Sequence, residues 1–335
     1  MTKHNSGLKG LVAVAALLAI GTSPVFAAGD APHIEHQHWS FGGFGGKYDK
    51  NQLQRGFQVY QNVCGQCHGM NRLSFRNLVQ PGGPEFPEEA VKGLAANWPN
   101  KITDGPNEAG AMFERPAKLS DRILGPYKND EAARAAFGGA LPPDLSIIAK
   151  ARNTEFHGPW YLHPGSMIKD IVTGYQEGGP NYIYGLLMGY TDVPAYFRDD
   201  KGHLKPAKPE DMADKAKAKT AERCVSIAHE EGKPDTCNKL ADGMNYNAAF
   251  PGHQIAMTQP LGDGSVEYDK DAEGKPVAPL TQDQYARDVA SFLAWAADPS
   301  LNDRKATGWS VMLYLLITTL LLYFGKKRVW AKVPH

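Results

Sequence analysis

A mainly α-helical fold, enlarged by long loop insertions and closed by one C-terminal transmembrane helix, follows from three features of this 335-residue sequence. First, Leu53, Phe57 and Tyr60 recur at helical spacing, Val63 continues the stripe, and Asp49 stands where an N-cap belongs. The spacing predicts a helix that ends at Cys64. Second, Thr281-Gln282-Asp283-Gln284 reads as a capping box, and Tyr285, Val289, Phe292, Leu293 and Ala296 form one apolar face before Pro299 halts the pattern. Third, Trp309 to Phe324 contains no charged residue and is bracketed by Trp309, Tyr323 and Trp330, the pattern of a membrane span with an aromatic belt. At about 1.5 Å per residue that run falls short of the roughly 30 Å hydrocarbon core, so Ala306 to Gly308 and snorkelling basic residues must extend it. Between the two long helices, 35 Gly and 24 Pro residues predict mostly loops and short helices.

The pentapeptide Cys64-Gly65-Gln66-Cys67-His68 carries the chemistry. Two thiols three residues apart on one helical turn can both reach the vinyl carbons of a haem, and the imidazole that follows can ligate its iron. A redox dithiol or half of a zinc site would not need the adjoining His. A zinc site would also want a second close pair, and Cys224 and Cys237 are distant and widely spaced. One covalently bound haem c is therefore expected, in an architecture that resembles an enlarged, class I-like c-type cytochrome: a helix leading into CxxCH and a C-terminal helix closing the fold.

The chain ends predict the compartment. Lys3 and Lys9 precede the apolar run Leu11 to Ile20, and Val25-Phe26-Ala27-Ala28 supplies small residues, so residues 1–27 read as a secretory signal peptide. About ten apolar residues are too few to span a bilayer. The expected organisation is a signal at 1–27, a periplasmic haem domain at 28–305, a transmembrane helix at 306–325 and a cytoplasmic tail at 326–335. Lys326, Lys327, Arg328 and Lys332 outweigh Arg304 and Lys305, which puts the tail inside a bacterial inner membrane and the haem domain on the periplasmic side. Without the basic residues of signal and tail, the 36 Lys plus Arg fall to 30 against 36 Asp plus Glu. A moderately acidic exterior suits a basic protein partner and argues against nucleic acid.

The sixth iron position decides between electron carriage and ligand binding. Met70 is too close to His68 to reach the opposite haem face, and Met312 lies in the anchor. Met257 sits in the Pro- and Gly-punctuated loop Phe250 to Leu261, which can fold over a haem; His253 in the same loop is the rival ligand.

Further motifs resemble the cytochrome c1 family in its alphaproteobacterial form. They are Arg55-Gly56-Phe57-Gln58-Val59-Tyr60 leading into CxxCH, Asp104-Gly105-Pro106-Asn107-Glu108, Arg115-Pro116 with Lys118-Leu119-Ser120-Asp121, and Ala140-Leu141-Pro142-Pro143-Asp144-Leu145-Ser146. The Met257 loop, Phe292-Leu293-Ala294-Trp295-Ala296-Ala297 and the basic-tailed anchor continue the order. The resemblance implies thioethers at Cys64 and Cys67, axial ligands His68 and Met257, and haem-propionate contacts from Arg152 and Tyr182. By themselves those last two would read as a surface charge and a core aromatic. Only one Pro follows Met257, in Thr258-Gln259-Pro260, where the family commonly shows a Pro-rich tripeptide. The segments 153–180 and 198–246 are longer than in mitochondrial members and inherit no function. In an oxidising compartment Cys224 and Cys237 are expected to form a disulfide that pins the second of them. His229 could instead join them on a metal, and His33, His36 and His38 form a second His cluster in an N-terminus expected to be mobile.

The expected role is a membrane-anchored relay of single electrons, with no catalytic residue of its own. By the resemblance it accepts from the Rieske iron-sulfur subunit and delivers to a soluble or membrane-tethered c-type cytochrome, within a dimeric cytochrome bc1 complex built on cytochrome b. A free-standing membrane-tethered shuttle, and a gas-binding haem protein with an open sixth position, are the alternatives.

Overall fold

The computed structural model describes residues 34–331 apart from 154–159, 176 and 231–232. The signal-peptide reading, His33 and the last four residues of the tail lie outside the described residues. Helix α1 spans Lys50–Asn62, and its N-cap Asp49 accepts from the Gln52 amide. Its apolar stripe, with Leu53, Phe57, Val59 and Tyr60 almost fully buried, packs across α5, Gln282–Ala297. The crossing is close because Gly56 lies at it: a Cβ there would stand 2.1 Å from the Asp288 carbonyl oxygen and 2.6 Å from Phe292 Cβ.

A buried ion pair marks the same crossing. Arg55 donates through Nε and Nη2 to the fully buried Asp288 at 2.8 and 3.0 Å, and Tyr268 and Gln284 complete the carboxylate's partners at 2.8 and 2.9 Å. Every face of a charge removed from water is thereby satisfied. The expected capping box forms only in half. Thr281 accepts from the Gln284 amide, but the Gln284 side chain is drawn to Asp288.

The region between the long helices contains three further labelled helices: α2, Ile148–Ala151; α3, His163–Thr173; and α4, Gly178–Met188. Alongside them run short antiparallel strands that the sequence reading placed among loops. Met70–Ser74 pairs with Arg122–Ile123, and Ala195–Arg198 pairs with both Leu204–Pro206 and Glu222–Arg223. At two to five residues each, these strands are too brief to show a period-2 pattern. In the 198–246 insertion, Ser226–Ala228 pairs with Thr236–Asn238, and Cys224 and Cys237 are joined with their Cα atoms 5.2 Å apart. His229 Nδ1 lies 2.7 Å from Asp235, whose carboxylate also faces His203 at 3.2 Å and accepts from the Leu204 amide at 2.7 Å.

The chain from residue 36 is held, contrary to the mobile N-terminus expected. Trp39 and Phe41 are buried, Trp39 Nε1 donates to Asn181 at 2.8 Å, and His36 Nδ1 meets the Tyr175 hydroxyl at 2.9 Å. The anchor, α6, is also longer than its uncharged run. It is one continuous helix over Leu301–Trp330, starting in Asp303, Arg304 and Lys305 and running through Lys326 to Arg328. Among the described residues it is the one helix long and apolar enough to cross a membrane. Its 30 residues reach about 45 Å, enough to carry both charged ends beyond the hydrocarbon core. Arg304 clamps Asp298 at 2.6 Å, and the Lys305 ammonium binds the carbonyls of Phe41 and Gly43, which ties the anchor's first turns to the domain.

Candidate haem site

Helix α1 ends at Asn62, and a single 3-10 turn, Cys64–Gln66, follows. The turn is closed by the Cys67 and His68 amides, both donating to the Cys64 carbonyl at 3.1 and 2.8 Å. Cys64 and Cys67 are therefore presented as two half-buried thiols on one turn, with His68 immediately beyond. Burial pushes the Cys64 thiol up to about 12 and raises Cys67 as well, so both stay protonated at neutral pH.

One contact decides what His68 can do. Its Nδ1 lies 2.8 Å from the Pro143 carbonyl oxygen, an acceptor only, so Nδ1 must carry the proton and Nε2 keeps its lone pair. Burial holds the imidazole below its ordinary pKa, partly opposed by Pro143 and the nearby Asp144 carboxylate. A neutral, oriented imidazole with a free Nε2 beside two unoxidised thiols is the donor set that a covalently attached haem requires.

The Pro143 loop is itself locked. The Leu145 amide donates to the Gly69 carbonyl at 2.9 Å, and Asp144 accepts from the Asn71 and Ser146 amides at 2.6 and 2.9 Å. The same segment continues into α2 and ends at Arg152, so one stretch of chain both orients His68 and delivers Arg152. Sequence reasoning quoted Pro142-Pro143-Asp144 as a motif but assigned it no role. The double proline, which can only offer carbonyls, was the available signal.

Met257 follows a hairpin in which Asn245–Tyr246 pairs with Gln254–Ile255. Its carbonyl accepts from the Tyr190 hydroxyl at 3.0 Å and from Asn245 at 3.4 Å, while its side chain is half-buried. His253 occupies the hairpin turn with φ at +58°. Its ring stacks on Tyr246 at 5.7 Å, and its Nδ1 lies 3.3 Å from the Asn247 carbonyl.

Tyr182, on α4, is 6 % exposed. Burial raises its pKa while the neighbouring Arg152 lowers it, and Tyr182 in turn helps raise Tyr190. Tyr190, whose hydroxyl holds the Met257 carbonyl, follows directly on α4, the helix that carries Tyr182. Arg152 is exposed at the mouth of a cavity of about 310 Å³ shared with Lys150, Tyr48 and Asp298. Cys64, Cys67, His68 and Met257 do not line that cavity, so it adjoins the haem site rather than forming it.

The Cytochrome C1 family model matches residues 39–333, nearly the whole described chain. The chain belongs to the cytochrome c1 family. It is 42 % identical over 317 residues to "Cytochrome c1" of Blastochloris viridis, covering 94 % of this chain and 93 % of that protein. It is 37 % identical over 327 residues to "Cytochrome c1" of Rhodospirillum rubrum, covering 98 % of both. A 40 % identical match over 293 residues, 88 % of this chain and 35 % of the relative, is to "Cytochrome b/c1" of Bradyrhizobium diazoefficiens. As a cytochrome c1 family member the chain is a membrane-anchored, electron-transferring haem subunit of the bc1 complex, with one covalently bound haem c.

Proposed function

We propose that this chain accepts single electrons from the Rieske iron-sulfur protein and passes them to a c-type cytochrome, with its haem domain on the periplasmic face and the complex assembled as a dimer on cytochrome b. In this reading Cys64 and Cys67 form the thioethers, and His68 Nε2 and the Met257 sulfur are the axial ligands. The observation that carries it is the Pro143 carbonyl at 2.8 Å from His68 Nδ1, directly after two available thiols. Bound there, a haem supplies a one-electron centre, and the protein supplies no acid, base or nucleophile.

The chain's own residues have separate tasks. Pro143 keeps the His68 proton on Nδ1, and Tyr60, donating to the His68 carbonyl at 3.1 Å, ties the backbone of the ligand to α1. Tyr190 and Asn245 hold the Met257 backbone in place. Arg152 and Tyr182 stand together as a cation and a phenol able to receive a carboxylate such as a propionate. The Cys224–Cys237 bond closes the insertion that carries the Asp235 cluster. The fused "Cytochrome b/c1" relative supports assembly with cytochrome b.

Met257 is favoured over His253 because the His253 ring is engaged in its own turn, stacked on Tyr246. Replacing Met257 by Leu should lower the midpoint potential by on the order of 100 mV, a fraction of the roughly 0.8 V that axial ligation spans. Replacing His253 by Ala should leave the optical spectrum unchanged. An unchanged potential in the Met257 variant would remove this assignment.

A further inference from the structure

Helix α3, His163–Thr173, is amphipathic with its faces reversed. Met167, Ile168, Ile171 and Val172 fall on one side and are 53, 62, 71 and 67 % exposed. The side turned toward the domain is polar. Ser166 and Asp170 are its less exposed residues, and Asp170 reaches the cavity beside Arg152. A soluble helix places these faces the other way round, so the medium outside α3 must be apolar.

The position of α3 names that medium. Gly174, in the left-handed conformation at φ +67°, caps the helix so tightly that a Cβ there would stand 3.2 Å from the Phe44 ring. Phe44 in turn packs edge-on against Trp309, ring centroids 6.3 Å apart, at the first aromatic of the membrane run. Lys305, one turn earlier in the anchor, fixes the Phe41 to Gly43 loop that carries Phe44. The C-terminal cap of α3 is therefore packed, through Phe44, beside Trp309 at the start of the anchor's exposed surface. Ile171 and Val172 lie in the last helical turn before that cap, on the end of α3 nearest the anchor.

We propose that α3 is an interfacial membrane helix, lying at the outer bilayer surface with Met167, Ile168, Ile171 and Val172 in the headgroup–acyl boundary. The inference rests on the membrane-anchor reading of α6. Lys169 and Asp170 offset each other on its polar side, so insertion needs apolar area and no anionic lipid. The helix would be a second, parallel attachment that fixes the tilt of the haem domain above the membrane.

Site-directed spin labelling of the assembled complex in phosphatidylcholine vesicles tests it, with single cysteines at Ile171, Val172, Lys169 and, as the anchor reference, Leu316. Nitroxides at Ile171 and Val172 should be relaxed several-fold more by oxygen than by a water-soluble nickel chelate, approaching Leu316, whereas Lys169 should show the reverse. Nickel-dominated relaxation at both apolar positions would overturn the proposal in favour of a solvated face. Immobilised labels closed to both reagents would overturn it in favour of a protein partner, cytochrome b or a second copy. If the Leu316 label were itself open to nickel, the anchor reading would be the one to fail.

Discussion

A backbone carbonyl, that of Pro143, determines which nitrogen of His68 keeps its lone pair, and two backbone amides keep that carbonyl in place by binding Asp144. Such bonds to a charged acceptor are worth more than neutral ones. Asp144→Ala should therefore cost about 2 kcal/mol, seen as a fall of several degrees in thermal midpoint, together with a displaced midpoint potential. Unaltered values of both would show that the loop holds without the carboxylate. At this scale the CxxCH motif was legible, because it packs its whole chemistry into five neighbouring positions. The orienting partners were not. A carbonyl acceptor is carried by every residue, so even the double proline did not say which side chain it would orient, and Pro143 is 75 residues from His68.

The α1–α5 crossing was half legible. Both apolar stripes announced their helices, but the mutual approach depends on Gly56, whose missing Cβ makes room for the Asp288 carbonyl. Gly56→Ala should destabilise the domain by about 1–3 kcal/mol through overpacking, measurable as a lowered denaturant midpoint with an unchanged slope. An equal midpoint would mean that the helices can separate freely. The strands of the 198–246 insertion were illegible, because each is too short for pattern and they are organised by a buried carboxylate. The Leu204 amide, chiefly, with His229 and His203, holds the Asp235 carboxyl at about 2. Since that lies below the unfolded value of about 3.9, the cluster stabilises the insertion above pH 4 and the benefit is lost as pH falls toward 2. Hydrogen exchange across residues 199–238 should accelerate over that window, and Asp235→Asn should abolish the acid step. Exchange that is flat from pH 4 to 2 in the unsubstituted protein would contradict this.

For the whole molecule, the anchor is joined to the domain by few ties. Arg304 on Asp298, Lys305 on two carbonyls, Asn302 on the Tyr48 amide, the buried Leu301 and the Phe44–Trp309 contact, all in its first three turns, join α6 to the rest. A chain ended after Thr307 keeps every tie but Trp309 and should show the midpoint potential of the full chain, while still associating weakly with phosphatidylcholine vesicles through α3. Ending it after Ser300 should cost about 3 kcal/mol more, because the buried Leu301 side chain is lost together with the ion pair. A longer truncation that stays wholly in solution and leaves phosphatidylcholine vesicles unbound would count against α3 as a second apolar attachment.

The sequence by itself determined the haem attachment, the two long helices and the anchor, because each is encoded by residues adjacent in the chain or repeated at a helical period. Only the tertiary structure decided the tautomer of His68, the tether of Tyr190 to the Met257 loop, the fit at Gly56 and the outward face of α3. Those features depend on which distant backbone atoms meet, and close packing rather than local periodicity sets that.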